Sequence, residues 1–198
     1  MASDKRGTRP GYKVAPPRPP RADAVANRAR LLAVAGEAFD RDGLGVSLDE
    51  IARRAGLGPG TLHRHFPTKA ALIDATLADR VGELAAAVKS HTRADDPTAA
   101  LLDALTTVVE RGAASHALAD RLRSESGDID AAVAEATAEL RATLATLLRR
   151  AQRAGTVRRD LDPGSLDALL AAAHALRTHP SGGDHLVQLL WTTITTTD

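Results

Sequence analysis

Apolar side chains recur at helical spacing along almost the whole chain. From about Asp23, where the aspartate is a plausible cap, Leu31, Leu32, Ala35, Ala38 and Phe39 share one face and predict a first helix, which Gly43 ends. Ser47 and Glu50 open a second helix, Leu48 to Ala55, as an S-x-x-E capping box. In such a box the hydroxyl accepts a free N–H, and the glutamate reaches back to the cap. Gly56 makes a turn, Pro59 suits the first position of a two-turn helix, and Pro67 stops that helix after Phe66. Thr68 then caps a long helix through about His91, with Ile73, Leu77, Val81, Leu84 and Val88 on one side.

Beyond the break at Asp95-Asp96-Pro97, Leu101, Leu102, Leu105, Val108, Val109 and Gly112 predict a fifth helix, and Ser115 to about Glu125 a sixth. A turn at S-G-D-I-D leads to a seventh, with Ile129, Val133, Ala136, Leu140, Leu144, Leu147 and Ala151 in register. Arg149, Arg150 and Arg153 fall in its last turn, where cations suit the helix dipole. Asp162-Pro163 starts an eighth helix; T-H-P-S-G-G-D is a loop; and Leu186, Leu189, Leu190, Trp191 and Ile194 line a last helix. With no strand pattern and no repeat, the expected architecture is all-α with about nine helices.

Composition narrows this picture. Hydrophobic residues make up 43% and aromatics only 2%, so the core must be aliphatic and alanine-rich, as suits close-packed helices. Cysteine is absent, which removes disulfides and thiolate metal or redox sites. No apolar run approaches the ~18 residues of a membrane span, and the first residues lack the apolar core of a secretory signal. A soluble cytoplasmic protein is expected. Residues 1–90 hold 15 Lys and Arg against 10 Asp and Glu, whereas residues 91–198 hold 11 against 15. A basic N-terminal part on an acidic remainder suggests a nucleic-acid module joined to something else. Residues 1–22, with five prolines among Lys5, Arg6, Arg9, Lys13, Arg18 and Arg21, have little apolar surface to bury. They read as a disordered basic tail: either merely solvated, or an arm that lies along phosphates.

The stretch S-L-D-E-I-A-R-R-A-G-L-G-P-G-T-L-H-R-H-F-P-T-K, Ser47 to Lys69, organises the rest. Ala52 is small where two helices cross, Gly56 tolerates positive φ in the turn, and Leu62 anchors the helix beyond it, with Ile51, Leu57 and Phe66 around them. Together with R-A-R-L-L-A-V-A-G-E-A-F-D-R-D-G before it, this run resembles the N-terminal domain of TetR-family transcriptional regulators. A-Q-R-A-G-T-V-R-R-D-L-D-P and the final L-V-Q-L-L-W-T resemble the end of many such proteins. The resemblance implies a helix-turn-helix DNA-binding domain at residues 23–67 and a larger regulatory and dimerisation domain at 68–198. It further implies a homodimer formed mainly by the last two helices, and a cavity for a small-molecule effector. His63 stands where the family usually has tyrosine, and Gly58 where serine or another polar residue commonly caps the helix.

The candidate DNA contacts gather around the third helix. With Leu62 and Phe66 facing inward, Pro59, Gly60, Thr61, His63, Arg64 and His65 lie on its front and flanks. Free N–H groups at its start suit phosphate, and Gly60 permits close approach. Thr61 can meet a phosphate or thymine methyl; Arg64 can read guanine O6/N7. Ser47 contacts the backbone on one side, and Lys69 is the phosphate anchor that the resemblance implies on the other. The effector pocket is expected around Leu105, Thr106, Val109, His116, Leu140 and Leu144. Dimerisation is expected through Leu166, Leu170, Ala173, Leu186, Leu190 and Trp191. No cofactor and no metal is expected: His63 and His65, two apart on a helix, point ~200° apart. No Ser-His-Asp set, carboxylate pair or phosphate loop supports an enzyme. The reading is a repressor that binds a palindromic operator as a dimer and is released by a small molecule; an activator and a non-regulated DNA-organising protein are the alternatives.

Overall fold

A computed structural model describes residues 20–126, 130–177 and 183–196, with the side chains of residues 20–21, 114, 116–117 and 119–126 outside the description. The described residues form eight α-helices and no strand: α1 (Pro20–Asp42), α2 (Leu48–Arg54), α3 (Pro59–His65), α4 (Lys69–Ser90), α5 (Pro97–Ser126), α6 (Ala131–Arg153), α7 (Pro163–Arg177) and α8 (Gly183–Thr192).

Caps fix most of these ends. The Glu50 amide donates to Ser47 Oγ (3.2 Å) and the Ala71 amide to Thr68 Oγ1 (3.1 Å). Amides of Ala132 and Ser165 donate to the carboxylates of Asp130 (2.8 Å) and Asp162 (2.7 Å). Each satisfies a helix-start N–H that would otherwise have no partner. Gly43 and Gly56 take positive φ, 74° and 67°, where the chain leaves α1 and α2. After α2 the Leu57 amide reaches Ala52 O (3.0 Å) and the Gly56 amide reaches Arg53 O (3.1 Å), a closure that needs a left-handed residue.

Several expectations are corrected. Residues 20–22, expected in the basic tail, are helical; residues 1–19 lie outside the described residues, as does Ile129. The capping box at Ser47 is half made. Glu50 does not turn back to the cap; its carboxylate binds Arg53 (2.8 and 2.7 Å) and Arg54 (2.7 Å), two guanidiniums that outcompete one amide. The predicted fifth and sixth helices are one 30-residue helix, α5, which reduces nine to eight. Gly112 does not break it, although glycine inside a helix costs about 1 kcal/mol against alanine. A Cβ there would sit 3.3 Å from His174 Nε2 and 3.3 Å from Leu84 Cδ2, so the missing methyl makes room for α4 and α7. Gly183, expected in the loop, begins α8; a Cβ on it would lie 2.2 Å from the Arg177 carbonyl oxygen. Ile194 lies past α8, where the Arg158 amide donates to its carbonyl (3.1 Å) and Thr195 forms an isolated bridge with Val157.

Apolar packing divides into two clusters. The first holds Leu31, Leu32, Phe39, Ile51, Leu62, Phe66 and the start of α4 through Val81; it also takes in Leu118 of α5 and Val133 of α6. The second runs from Leu84 through α5, α6 and α7 to Trp191 and Ile194. The division therefore falls inside α4, which serves both clusters along its length. At the far end of α4, Arg150 of α6 donates to Thr92 O (2.6 Å) and Ala94 O (3.0 Å), tying the helices together there.

Candidate nucleic-acid interface and internal cavity

The first cluster holds α3 outward. Leu62 and Phe66 are buried under α1 and α2, and Arg28 lies over the Phe66 ring at 5.4 Å. Asp42 and Glu50 both bind Arg54, locking the end of α1 to α2. Arg53 and then Arg54 hold the Glu50 carboxyl well below the usual range, at about 2. Pro59, Gly60, His63 and Arg64 are exposed, while Thr61 and His65 are half-buried. Arg64 Nε donates to Gly60 O (3.1 Å), so the exposed guanidinium is tethered to the start of its own helix. Nothing lies within 4 Å of a Cβ built on Gly58 or Gly60. The fold itself therefore does not require glycine at either position. Ser47 and Lys69 flank the exposed face at the starts of α2 and α4. Ser47 Oγ is already occupied by the Glu50 amide, which leaves its hydroxyl proton to donate.

A cavity of about 670 Å³ opens between α4, α5, α6 and α7. Leu77, Val81, Ser115, Val133, Thr137, Leu140, Leu144, Leu170 and His174 form its wall, and Arg141 and Asp167 pair at 3.0 Å on its lining. Of the expected pocket residues, Leu140 and Leu144 are in the wall. Leu105 and Val109 are buried elsewhere in the second cluster, Thr106 is half-buried away from the cavity, and the side chain of His116 lies outside the described residues. Among the described residues α5 meets the cavity at Ser115, six residues beyond Val109. The α7 residues were missed altogether. His174 gives the one sequence signal that could have found them, a single imidazole among alanines and leucines. Its Nδ1 lies 2.8 Å from Leu170 O, a pure acceptor, so the proton sits on Nδ1.

The expected dimer residues separate into two groups. Leu166, Leu170 and Ala173 are buried within the chain's own core, as is Trp191 at 3% exposure. Leu186 and Leu190 are only half-buried. Between them on α8 stands Leu189, 50% exposed, one of two large apolar side chains so open among the described residues.

With this geometry in place, comparison with known proteins is direct. The family profile for bacterial regulatory proteins of the TetR family matches residues 31–76, and that of the C-terminal domain of SbtR-like transcriptional regulators matches residues 96–195. The chain is similar to a TetR transcription regulatory protein from Mycobacterium vanbaalenii: 41% identity over 90% of this chain and 100% of that one, with a TM-score of 0.72. A TetR regulator from Streptomyces coelicolor matches at 29% identity over 86% and 99%, with a TM-score of 0.69. An HTH-type transcriptional regulator of Staphylococcus aureus is 43% identical over 53 residues, 26% of this chain; the chain spans under a third of that relative, 29%. This chain belongs to the TetR family of transcriptional regulators. It is a regulator and not an enzyme.

Proposed function

We propose that the chain acts as a dimeric repressor whose grip on a palindromic operator is released when a small molecule enters the cavity between α4 and α7. The observation that carries this reading is shared membership. Leu77, Val81 and Val133 belong to the apolar cluster that holds α3 and also form the wall of the cavity. A ligand pressing on these three side chains presses on the support of the recognition helix. In close-packed interiors such displacement is transmitted rather than absorbed. If the filled cavity sets the two recognition helices at a wrong separation, operator affinity falls by linkage.

In this reading residues 23–67 are the DNA-binding unit and 68–198 the regulatory and dimerisation unit, with α4 as the shared lever. Pro59, Gly60, Thr61, His63, Arg64 and His65 face the major groove, and Ser47 and Lys69 hold phosphates on either side. The second copy packs on the outward faces of α7 and α8, where Leu186, Leu189 and Leu190 lie together; the buried Leu166, Leu170, Ala173 and Trp191 support that face from behind. Selection of bound sites from random DNA tests the core of the proposal. The expected product is an inverted repeat with half-sites about 34–36 Å apart or modestly more. Recovery of no preferred motif, or of single half-sites bound by a monomer, would overturn it.

A further inference from the structure

Resting on the effector reading above, we propose that the cavity takes a neutral aliphatic amphiphile: a flexible hydrocarbon body with an uncharged hydroxyl or carbonyl head. Three observations lead there. First, the wall is branched aliphatic, with Leu77, Val81, Leu140, Leu144 and Leu170 among its members, and among the described residues holds no phenylalanine, tyrosine or tryptophan. Phe39 and Phe66 are spent in the first cluster and Trp191 in the second. A flat ring system would find area but no stacking partner. A hydrocarbon chain that bends to the wall gains affinity with every methylene it buries, about fourfold each.

Second, among the described residues of the wall, the one guanidinium and the one carboxylate pair with each other. Arg141 on α6 and Asp167 on α7 pair at 3.0 Å, with the arginine side chain 62% and the aspartate 42% exposed. An anionic head must displace Asp167 to reach the guanidinium, and a cationic head must displace Arg141. An exposed pair of this kind is weak, so the larger obstacle is desolvation. An ion seated against leucines and valines without a counter-charge of its own loses far more than a hydroxyl does. The paired guanidinium still has N–H groups to donate, and the carboxylate still has lone pairs to accept. A head that donates and accepts without net charge matches both at once. Third, about 670 Å³ lies within the ~300–1,000 Å³ typical of small-molecule sites, large enough for a chain that folds on itself.

The test uses the full chain and four probes of similar size: 1-octanol, octanoate, octylamine and 2-naphthol, each titrated by calorimetry at neutral pH. The expected order places 1-octanol first, with octanoate and octylamine at least about tenfold weaker. Two variants then narrow the gap without reversing it. Asp167→Asn leaves Arg141 uncompensated and should improve octanoate up to about fivefold, and Arg141→Gln should do the same for octylamine. Leu144→Phe narrows the cavity at its wall and should weaken 1-octanol binding, with retained operator binding as proof of folding. Octanoate, octylamine or 2-naphthol binding the unaltered chain as tightly as 1-octanol would overturn the proposal. So would absence of 1-octanol binding, or undiminished binding to folded Leu144→Phe. Binding of 1-octanol without any change in operator affinity would remove the release mechanism and leave the ligand class standing.

Discussion

Glycine stands both on the exposed face of α3 and at the contact of α5 with α7 around Gly112, but only the second position needs it. Gly58 and Gly60 on α3 have nothing within 4 Å of where a Cβ would be. The fold would accept a side chain at either. Gly112 is demanded from inside, by the imidazole of His174 and the methyl of Leu84. A residue whose fold leaves it free is available to function, and its substitution should alter binding without altering stability. A residue clamped by its neighbours shows the reverse.

The contrast can be broken in several places. Leu62 is fully buried and is the inward anchor of an otherwise outward helix. Leu62→Ala should cost about 2–5 kcal/mol in denaturant unfolding and abolish specific DNA binding with it. Retained operator affinity would mean that α3 does not depend on its core. Leu189→Glu should leave the fold intact but shift sedimentation to the monomer, weakening operator binding through lost avidity; an unchanged dimer would move the interface off α8.

On the exposed face the two cations should separate. Arg64→Ala is expected to relax preference at one base position by about 1–3 kcal/mol. Lys69→Ala should weaken all sequences alike and reduce the salt slope by about one. Unfolding midpoints of both should match the parent. A shift in either midpoint would assign the residue to the fold.

Asp74 of α4 supplies a pH-dependent test. Burial, and then the nearby carboxylate of Asp130, raise its pKa above the ordinary value. A carboxyl that binds its proton more tightly folded than unfolded costs stability once ionised, so the cost appears as pH rises through the raised pKa and vanishes below the unfolded value. Asp74→Asn should therefore stabilise the protein at neutral pH and lose its advantage in acid. Stabilisation that persists unchanged at low pH would point to packing instead. Glu50, held at about 2 by Arg53 and Arg54, has the opposite sign: its contribution is present above the ordinary carboxylate range and is lost as pH falls toward 2.

The smallest effect belongs to Gly58→Ser. The helix start there has no side-chain cap, and the space for one is open. A serine should add a few tenths of a kcal/mol and leave the selected motif recognisable. A large loss of DNA affinity would show that the backbone at Gly58 comes close to the duplex.

Most of what lies within a few turns of chain was legible in the sequence. The caps at Ser47, Thr68 and Asp162, the left-handed turn at Gly56, the stop at Pro67 and the inward direction of Leu62 and Phe66 are local: each is decided by neighbours within five residues. The class of fold and the outward residues of α3 are consequences of these local choices. What the sequence could not decide were outcomes settled by distant partners. Gly112 looked like a helix end because its compensation comes from residues 62 positions later, at His174, and 28 earlier, at Leu84. The cavity likewise draws its wall from four helices, so its membership followed tertiary approach and not apolar periodicity. Periodicity marks a side chain as inward-facing but does not say whether it meets its own core, an empty space or a second copy. Leu105, Leu144 and Leu189 share one residue type and one helical rhythm. The first is buried, the second lines the cavity and the third stands half exposed. Only the packing of the helices against one another separates the three.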